Sequence, residues 1–495
     1  MEKIEQEREQ LWHKLTIWKH SVDIPIIQGW MGIWVSTSEL AGAVAREGGI
    51  GTLSAAAITM IPEYREYWLN RIKEAKKLAG GKLSKEETKL LFKEANIHCI
   101  KEEIKKAKDI AQWHWAVFIN LMVASKNYNE YVKAACEAGV DGIVSWAGLP
   151  SNLHKLTAEY PNVSILPILS REKWVKTIYK QWNRPYEVIS EIQDNKTITI
   201  NGQKIENREG KLYQEDWTKI LPRIDTTGNS ITVGDRKYEY MIDNTNTITV
   251  KKQYEWKKPD AIILESAEKW WGHLWAIRGK IDEVNNPETT LEVAVPAVIK
   301  FLQQERLEQE QKDSVIRTTW WIVTKENIEI PVIAAWWIIT KEDVDKRLAL
   351  WAKWVQMWTL FATTKESNAH QDFKDAIINA RQEDVGVYNS SALYPARYLK
   401  KSLEGEDVEG ITAKQQECLL ECLEHCALRD WIPWYAQICI EKKLVNSTRW
   451  SNGKWLRFIG RPFGPDGENK ITSKLKIHSS VTVKEIFRLL TDKKD

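Results

Sequence analysis

Eight short apolar runs alternate with amphipathic stretches along this chain, and that alternation restricts its fold more than any other feature of the sequence. The runs cover residues 24–28, 50–54, 116–122, 142–145, 163–169, 260–265, 331–335 and 353–357. Each is short, mostly Val- and Ile-rich and free of polar alternation, the pattern of parallel strands buried on both faces. Between and after them, 38–47, 128–138, 152–160, 171–181, 295–311, 341–350 and 373–381 space their apolar residues at helical intervals. Eight βα units predict an α/β chain closed into a (β/α)8 barrel. A doubly wound open sheet is the rival, because local pattern does not show closure.

Three stretches exceed what a barrel needs. Residues 63–110 are Lys/Glu-rich and helical, broken at Gly80-Gly81. Residues 186–255 change character: 197–205 alternate with period two around Asn201-Gly202, a type I′ hairpin signal, and 230–233 and 247–250 add further strand-like runs. Residues 303–313 form a charged helix extension or linker. The expected organisation is a first barrel part over 15–185, a small antiparallel β-rich insertion over 186–255 and a second barrel part over 256–400. A C-terminal helical extension with a cysteine cluster follows over 401–495.

Composition narrows the partners. The 495 residues carry a formal net charge of +3, so there is no strong basic field and neither nucleic acid nor an anionic membrane is expected. The longest apolar stretches fall far short of the ~20 residues of a membrane helix. The start, MEKIEQEREQ, lacks the basic and apolar regions of a signal peptide. Six cysteines, four of them near the C-terminus, do not form a secreted disulfide framework. These features together favour a cytoplasmic protein; its oligomeric state is open.

One residue type is out of proportion. Tryptophan occurs 26 times against 8 Phe and 15 Tyr, while the 24 Gly fall below the average share of ~7%. Tryptophan stands as doublets at Trp270-Trp271, Trp320-Trp321 and Trp336-Trp337, and in turn contexts such as Gly29-Trp30-Met31-Gly32-Ile33-Trp34. Those are places where chains use glycine for positive φ or close backbone approach.

Chemistry-bearing residues gather where the strands end, the C-terminal face on which barrel enzymes place their sites. Ile333-Ala334-Ala335-Trp336-Trp337-Ile338 follows the seventh run, and Gln356-Met357-Trp358-Thr359 ends the eighth. If these tryptophans are glycines, both ends are bare backbone turns whose N–H groups can cradle a phosphate. The alternative is that each is a buried core indole. His273 lies just past the sixth run in Trp270-Trp271-Gly272-His273, an open position for a base working near neutrality. The other eight histidines are expected to be structural hydrogen bonders.

Pro25-Ile26-Ile27-Gln28-Gly29-Trp30-Met31-Gly32-Ile33-Trp34-Val35-Ser36 resembles the PIIQGGMGIGVS start of the nitronate monooxygenase (2-nitropropane dioxygenase) family. Asn120-Leu121-Met122-Val123, the loop from Val144 to Pro150, the His273 segment, Val332–Ile338 and Leu350–Phe361 resemble its other motifs, in family order. Nearly every family glycine missing here is a tryptophan. The economical hypothesis is an alternative genetic code, with UGA codons for glycine translated as tryptophan; Trp182 stands where the family often has a true tryptophan.

The resemblance implies non-covalent FMN at the barrel mouth and oxidation of alkyl nitronates with O2 to a carbonyl compound and nitrite. By position it implies that Gln28, Gly29, Trp30 and Met31 line the flavin and that Asn120 hydrogen-bonds the ring. Glu265, Trp271 and Gly272 would edge it, and Trp336, Trp337, Gln356, Met357, Trp358 and Thr359 would hold the phosphate end. Ser145 and Ala147 would face the substrate, and His273 matches the catalytic histidine, which deprotonates a nitroalkane or orients the nitronate. Glu265 to His273 is one residue longer than the usual family spacing.

Cys418, Cys422 and Cys426 at i, i+4, i+8 would share one helix face, with Cys439 beyond. No CxxC spacing marks a zinc site; a zinc or iron–sulfur site stays open beside the expected buried, reduced thiols, and no metal ligand is assigned. The nearest functional rival is the flavin-dependent enoyl-acyl-carrier-protein reductase, which would use NADH or NADPH. A Trp-rich module stacking sugars or bases would need indoles at regular surface positions instead of glycine-type turns, and a non-catalytic barrel is the remaining reading.

Overall fold

A computed structural model of the chain describes residues 15–17, 20–29, 31–32, 35–113, 115–182, 258–265, 272–273, 290–317, 330–335, 338–411, 418, 420–449, 456–460, 462–464 and 466–491, together with the strands of 187–252. The apolar runs form eight parallel strands: β1 Ile26–Gln28, β2 Gly51–Ser54, β3 Val117–Met122, β4 Gly142–Trp146, β5 Ser164–Leu169, β6 Ile262–Glu265, β7 Val332–Ala335 and β8 Trp354–Met357. They pair in sequence order from β2 round to β8, and β8 pairs β1. Closure between β1 and β2 runs through Ile27 and Ile50: Ile50 N–H donates to Ile26 O at 3.0 Å and Gln28 N–H to Ile50 O at 2.9 Å. The open-sheet alternative is thereby removed. The fold is a (β/α)8 barrel.

The strands are buried almost throughout, as their Val/Ile content requires: Ile26, Ile27, Val117, Ile119, Ile143, Ile165, Ile262, Ile263 and Ile333 are all inaccessible to solvent. Helices follow the strands around the outside, among them Ser38–Arg46, Tyr128–Glu137, Glu172–Trp182, Leu291–Arg317, Lys341–Leu348 and Gln371–Ile378. Helix Ser38–Arg46 lies so close to β2 that a Cβ at Gly51 would sit 1.7 Å from Ala41 O. Only glycine permits that approach. Helix Lys341–Leu348 begins with a reciprocal capping box between Thr340 and Asp343.

The long charged connection after β2 is two helices, Pro62–Leu78 and Lys85–Ile110, separated at Gly80 and Gly81, both with positive φ. The charged stretch after 302 continues helix Leu291–Arg317. Two expectations need correction. Residues 152–160 yield one turn only, Leu153–Leu156, because Thr157 returns its hydroxyl to Leu153 O and Pro161 follows closely. Residues 420–426, expected as a helix carrying three cysteines on one face, are extended and irregular. Their backbone is engaged with the turn after β3 instead: Leu423 bridges Ser125, Glu424 N–H donates to Ala124 O, and Lys126 N–H to Cys422 O.

The chain divides into two compact units, Met1–Tyr179 with Pro259–Asp495, and Lys180–Lys258. The second contains two antiparallel sheets. One orders Ser230–Val233, Arg236–Ile242, Ile248–Lys252 and Glu187–Ile192; the other orders Lys211–Gln214, Gln203–Arg208 and Thr197–Ile200. Ile200 opposes Gln203, leaving a two-residue connection at Asn201-Gly202, as the sequence pattern requires. Ile198 pairs Ile205 inside this small sheet and takes no part in the barrel. Among the described residues no helix is long and apolar enough to cross a membrane.

Candidate active site

Strand register fixes which side chains look into the barrel. Ser145 on β4 bonds the Tyr128 hydroxyl of an outer helix at 2.7 Å, so its face of the strand is the outer one. Side chains alternate along strands, and paired residues share a face. Val144 therefore faces inward, with its partners Asn120 on β3 and Leu166 on β5. Carrying the register on through Ile168 and Ile263 puts Glu265, Ala335 and Gln356 on the same inner face, in one rung across β6, β7 and β8. Asn120, Glu265 and Gln356 thus converge on the interior at the C-terminal end of the barrel.

Two of these groups lack side-chain partners among the described residues. Asn120 is buried and its Nδ2 has no hydrogen-bond partner among the described residues; Gln356 is wholly inaccessible and neither Nε2 nor Oε1 has one. Buried amides are normally paired, and each orphaned group costs roughly 1–3 kcal/mol. Glu265 is 5% exposed, and desolvation pushes its carboxyl up to about 8, so it holds its proton at neutral pH.

The other expected residues divide by what the structure places near them. The Gln28 amide is fully used: Nε2 donates to Gly29 O at 2.6 Å and Ser36 Oγ at 2.8 Å, and Oε1 accepts from Thr52 N–H at 2.9 Å. Met31 N–H also donates to Ser36 Oγ, so Gln28 organises the turn after β1 and ties it to β2. Gly29 N–H donates to Met357 O at 2.6 Å, and Met31, Met357, Trp358 and Thr359 are buried around this junction. The indole of Trp358 lies over Gly29, where a Cβ would be 2.4 Å from the ring. Ala147 follows β4 with a φ of 61°, next to Gly148. Ser145 spends its hydroxyl on Tyr128. Trp30, Trp271, Trp336 and Trp337 lie outside the described residues.

His273 is described through its backbone. Gly272–His273 forms a short strand that pairs antiparallel with Pro395–Leu399, His273 opposite Ala396 and Gly272 opposite Arg397. Pro395–Leu399 is itself hairpinned to Val385–Asn389. Sequence reasoning missed this hairpin, although Val385–Tyr388 and Ala396–Leu399 carry the β-branched and aromatic residues that could have flagged it. Tyr388 and Tyr398 pack edge to face across it at 4.8 Å.

Cys426 and Cys439 lie beside the same hairpin. Ala427 N–H, next to Cys426, donates to Ser391 O, and Ser391 Oγ donates to Ile438 O, next to Cys439. All six thiols are free; burial pushes Cys422, Cys426 and Cys439 up. Among the described residues no group of three or more His, Cys, Asp or Glu side chains is arranged to hold a metal.

Comparison with known proteins bears on the family and the fold. The nitronate monooxygenase family matches residues 13–182 and 308–447, more than half of the chain. The nitroalkane oxidase of Streptomyces ansochromogenes is 12% identical with a TM-score of 0.50, covering 95% of this chain and 95% of its own. FabK of Thermotoga maritima is 17% identical with a TM-score of 0.47, covering 98% of this chain and 94% of its own. At its identity the nitroalkane oxidase likeness speaks for the fold alone, and the FabK likeness carries no argument. No curated protein matches. With the family spanning both halves of the barrel and the insertion lying between them, this chain belongs to the nitronate monooxygenase family of oxidoreductases.

Proposed function

We propose that this chain binds FMN at the C-terminal mouth of the barrel and oxidises alkyl nitronates with O2, giving a carbonyl compound and nitrite. The observation that carries the reading is the pair of inward-facing amides, Asn120 and Gln356, buried without partners among the described residues in a barrel of this family. Such groups suit a ligand that brings its own donors and acceptors, as a flavin does. When bound, the flavin supplies reversible electron acceptance and reaction with O2.

The chain's own residues do the rest. Gln28 keeps the turn after β1 folded, and by the family resemblance Gly29, Trp30 and Met31 would line the ring. Asn120 would donate to the ring and protonated Glu265 would offer a second donor, with Trp271 and Gly272 edging it by the same resemblance. Trp336, Trp337, Gln356, Met357, Trp358 and Thr359 would hold the phosphate end. His273, held by its strand pairing, removes the α-proton of a neutral nitroalkane or orients the nitronate; Ala147 belongs to the loop on the substrate side, whereas Ser145 faces the outer helix. The tryptophans at family glycine positions carry a further element of the reading, an alternative genetic code in which UGA specifies glycine. The insertion 186–255 acts as a separate β-rich domain, and the enzyme works in the cytoplasm on small molecules.

The test is turnover by the flavin-loaded protein. O2-dependent release of nitrite and carbonyl product from an alkyl nitronate supports the proposal. Absence of nitrite, with NADH- or NADPH-dependent reduction of an enoyl thioester, would replace it with the reductase reading.

A further inference from the structure

Among the described residues, the exposed tryptophans are Trp113, Trp351, Trp431 and Trp434, between 52% and 72% exposed. All four have left-handed backbone, with φ of 53°, 71°, 56° and 67°, and among the described residues no buried or half-buried tryptophan does. A bulky side chain in that region is an outlier. Three of the four sit where helices end. Trp113 follows Lys85–Ile110 and donates its N–H to Lys108 O at 2.8 Å; Trp351 follows Lys341–Leu348 and donates to Leu348 O at 3.0 Å; Trp431 is the C-cap of Ala427–Asp430. Helix ends closed by a left-handed residue are where chains place glycine. The exposed rings bury little apolar surface to offset the conformation.

Trp354 and Trp358 are buried and lack this left-handed backbone. The Trp358 ring covers Gly29 at the barrel mouth and leaves no room there for a Cβ. Trp182 has neither a left-handed backbone nor an exposed ring. It ends the right-handed helix Glu172–Trp182, fully buried, where an indole is an ordinary core residue.

We infer that the polypeptide made in its own host carries glycine at 113, 351, 431 and 434 and tryptophan at 182, the gene having UGA decoded as glycine at the first four and UGG at the fifth. The inference rests on backbone conformation and exposure, so it stands or falls separately from the flavin reading. Glycine at 113, 351, 431 and 434 relieves the left-handed conformations.

The codons of the gene and the masses of the corresponding peptides from host-made protein test it directly. UGA with glycine masses at the four positions, and UGG with a tryptophan mass at 182, is the expected result. UGG at 351 and 434, or tryptophan masses there, overturns it. In the tryptophan-bearing chain, Trp351→Gly and Trp434→Gly should each raise the folded-to-unfolded ratio about fivefold, the left-handed penalty less the flexibility of glycine in the unfolded chain. Trp182→Gly should lower that ratio. Loss of stability in both Trp351→Gly and Trp434→Gly contradicts the assignment. None of these readouts involves flavin or substrate.

Discussion

Replacing Glu265 by glutamine should change how stability depends on pH, and the structure sets the size of the change. In the unfolded chain this carboxyl loses its proton near 4.5, whereas burial at the end of β6 holds it until about 8. Between those values the folded state binds the extra proton, so stability falls as pH rises. Below about 4.5 the group contributes no slope, and above about 8 the loss is complete. At ~1.4 kcal/mol per unit across this window, ionisation costs the native protein about 5 kcal/mol in total. A glutamine amide is neutral throughout, so Glu265→Gln should match the parent near pH 4.5 and exceed it progressively up to pH 8. The assay is urea unfolding of flavin-free protein at intervals from about pH 4.5 to about 9. Other titrating groups are common to both proteins and cancel in the difference. Parallel stability curves for parent and variant would falsify the assignment of a neutral, desolvated carboxyl at the barrel interior.

Three further substitutions probe other parts of the account. His273→Ala should retain flavin while turnover of neutral nitroalkanes drops ~10²–10⁴-fold, with preformed nitronates less affected; equal small losses on both would make His273 structural. Gln356→Leu removes two buried orphan atoms, so the flavin-free protein should gain about 1–3 kcal/mol in thermal unfolding while flavin titration shows weaker binding. Lys470→Met leaves Asp343 buried without the ammonium that now lies 2.7 Å away, and should cost about 3–5 kcal/mol in urea unfolding.

The barrel was legible in the sequence because strands buried on both faces leave continuous Val/Ile runs, and eight such runs are present. The insertion was legible for a similar reason: Asn201-Gly202 with flanking alternation is a local code, and Ile200 opposite Gln203 follows from it. What local pattern could not show was long-range pairing. The i, i+4, i+8 spacing of Cys418, Cys422 and Cys426 suits a helix, yet the turn at Ala124–Lys126 takes the backbone hydrogen bonds a helix would need. Gly272–His273 likewise becomes a strand only through Pro395–Leu399, far along the chain. At the site, Asn120, Glu265 and Gln356 were named from family position, but their shared inner face came from register. The full engagement of the Gln28 amide, and of Ser145 with Tyr128, left no trace in sequence spacing.

The central claim is that the barrel mouth holds a flavin that takes electrons from a nitronate. Mixing the flavin-loaded protein with an alkyl nitronate without oxygen, and then admitting O2, tests it most directly. The account predicts that the flavin colour bleaches on mixing and returns with O2 as nitrite is released. A flavin that ignores the nitronate but is bleached by NADH or NADPH, and recolours on addition of an enoyl thioester, would contradict it.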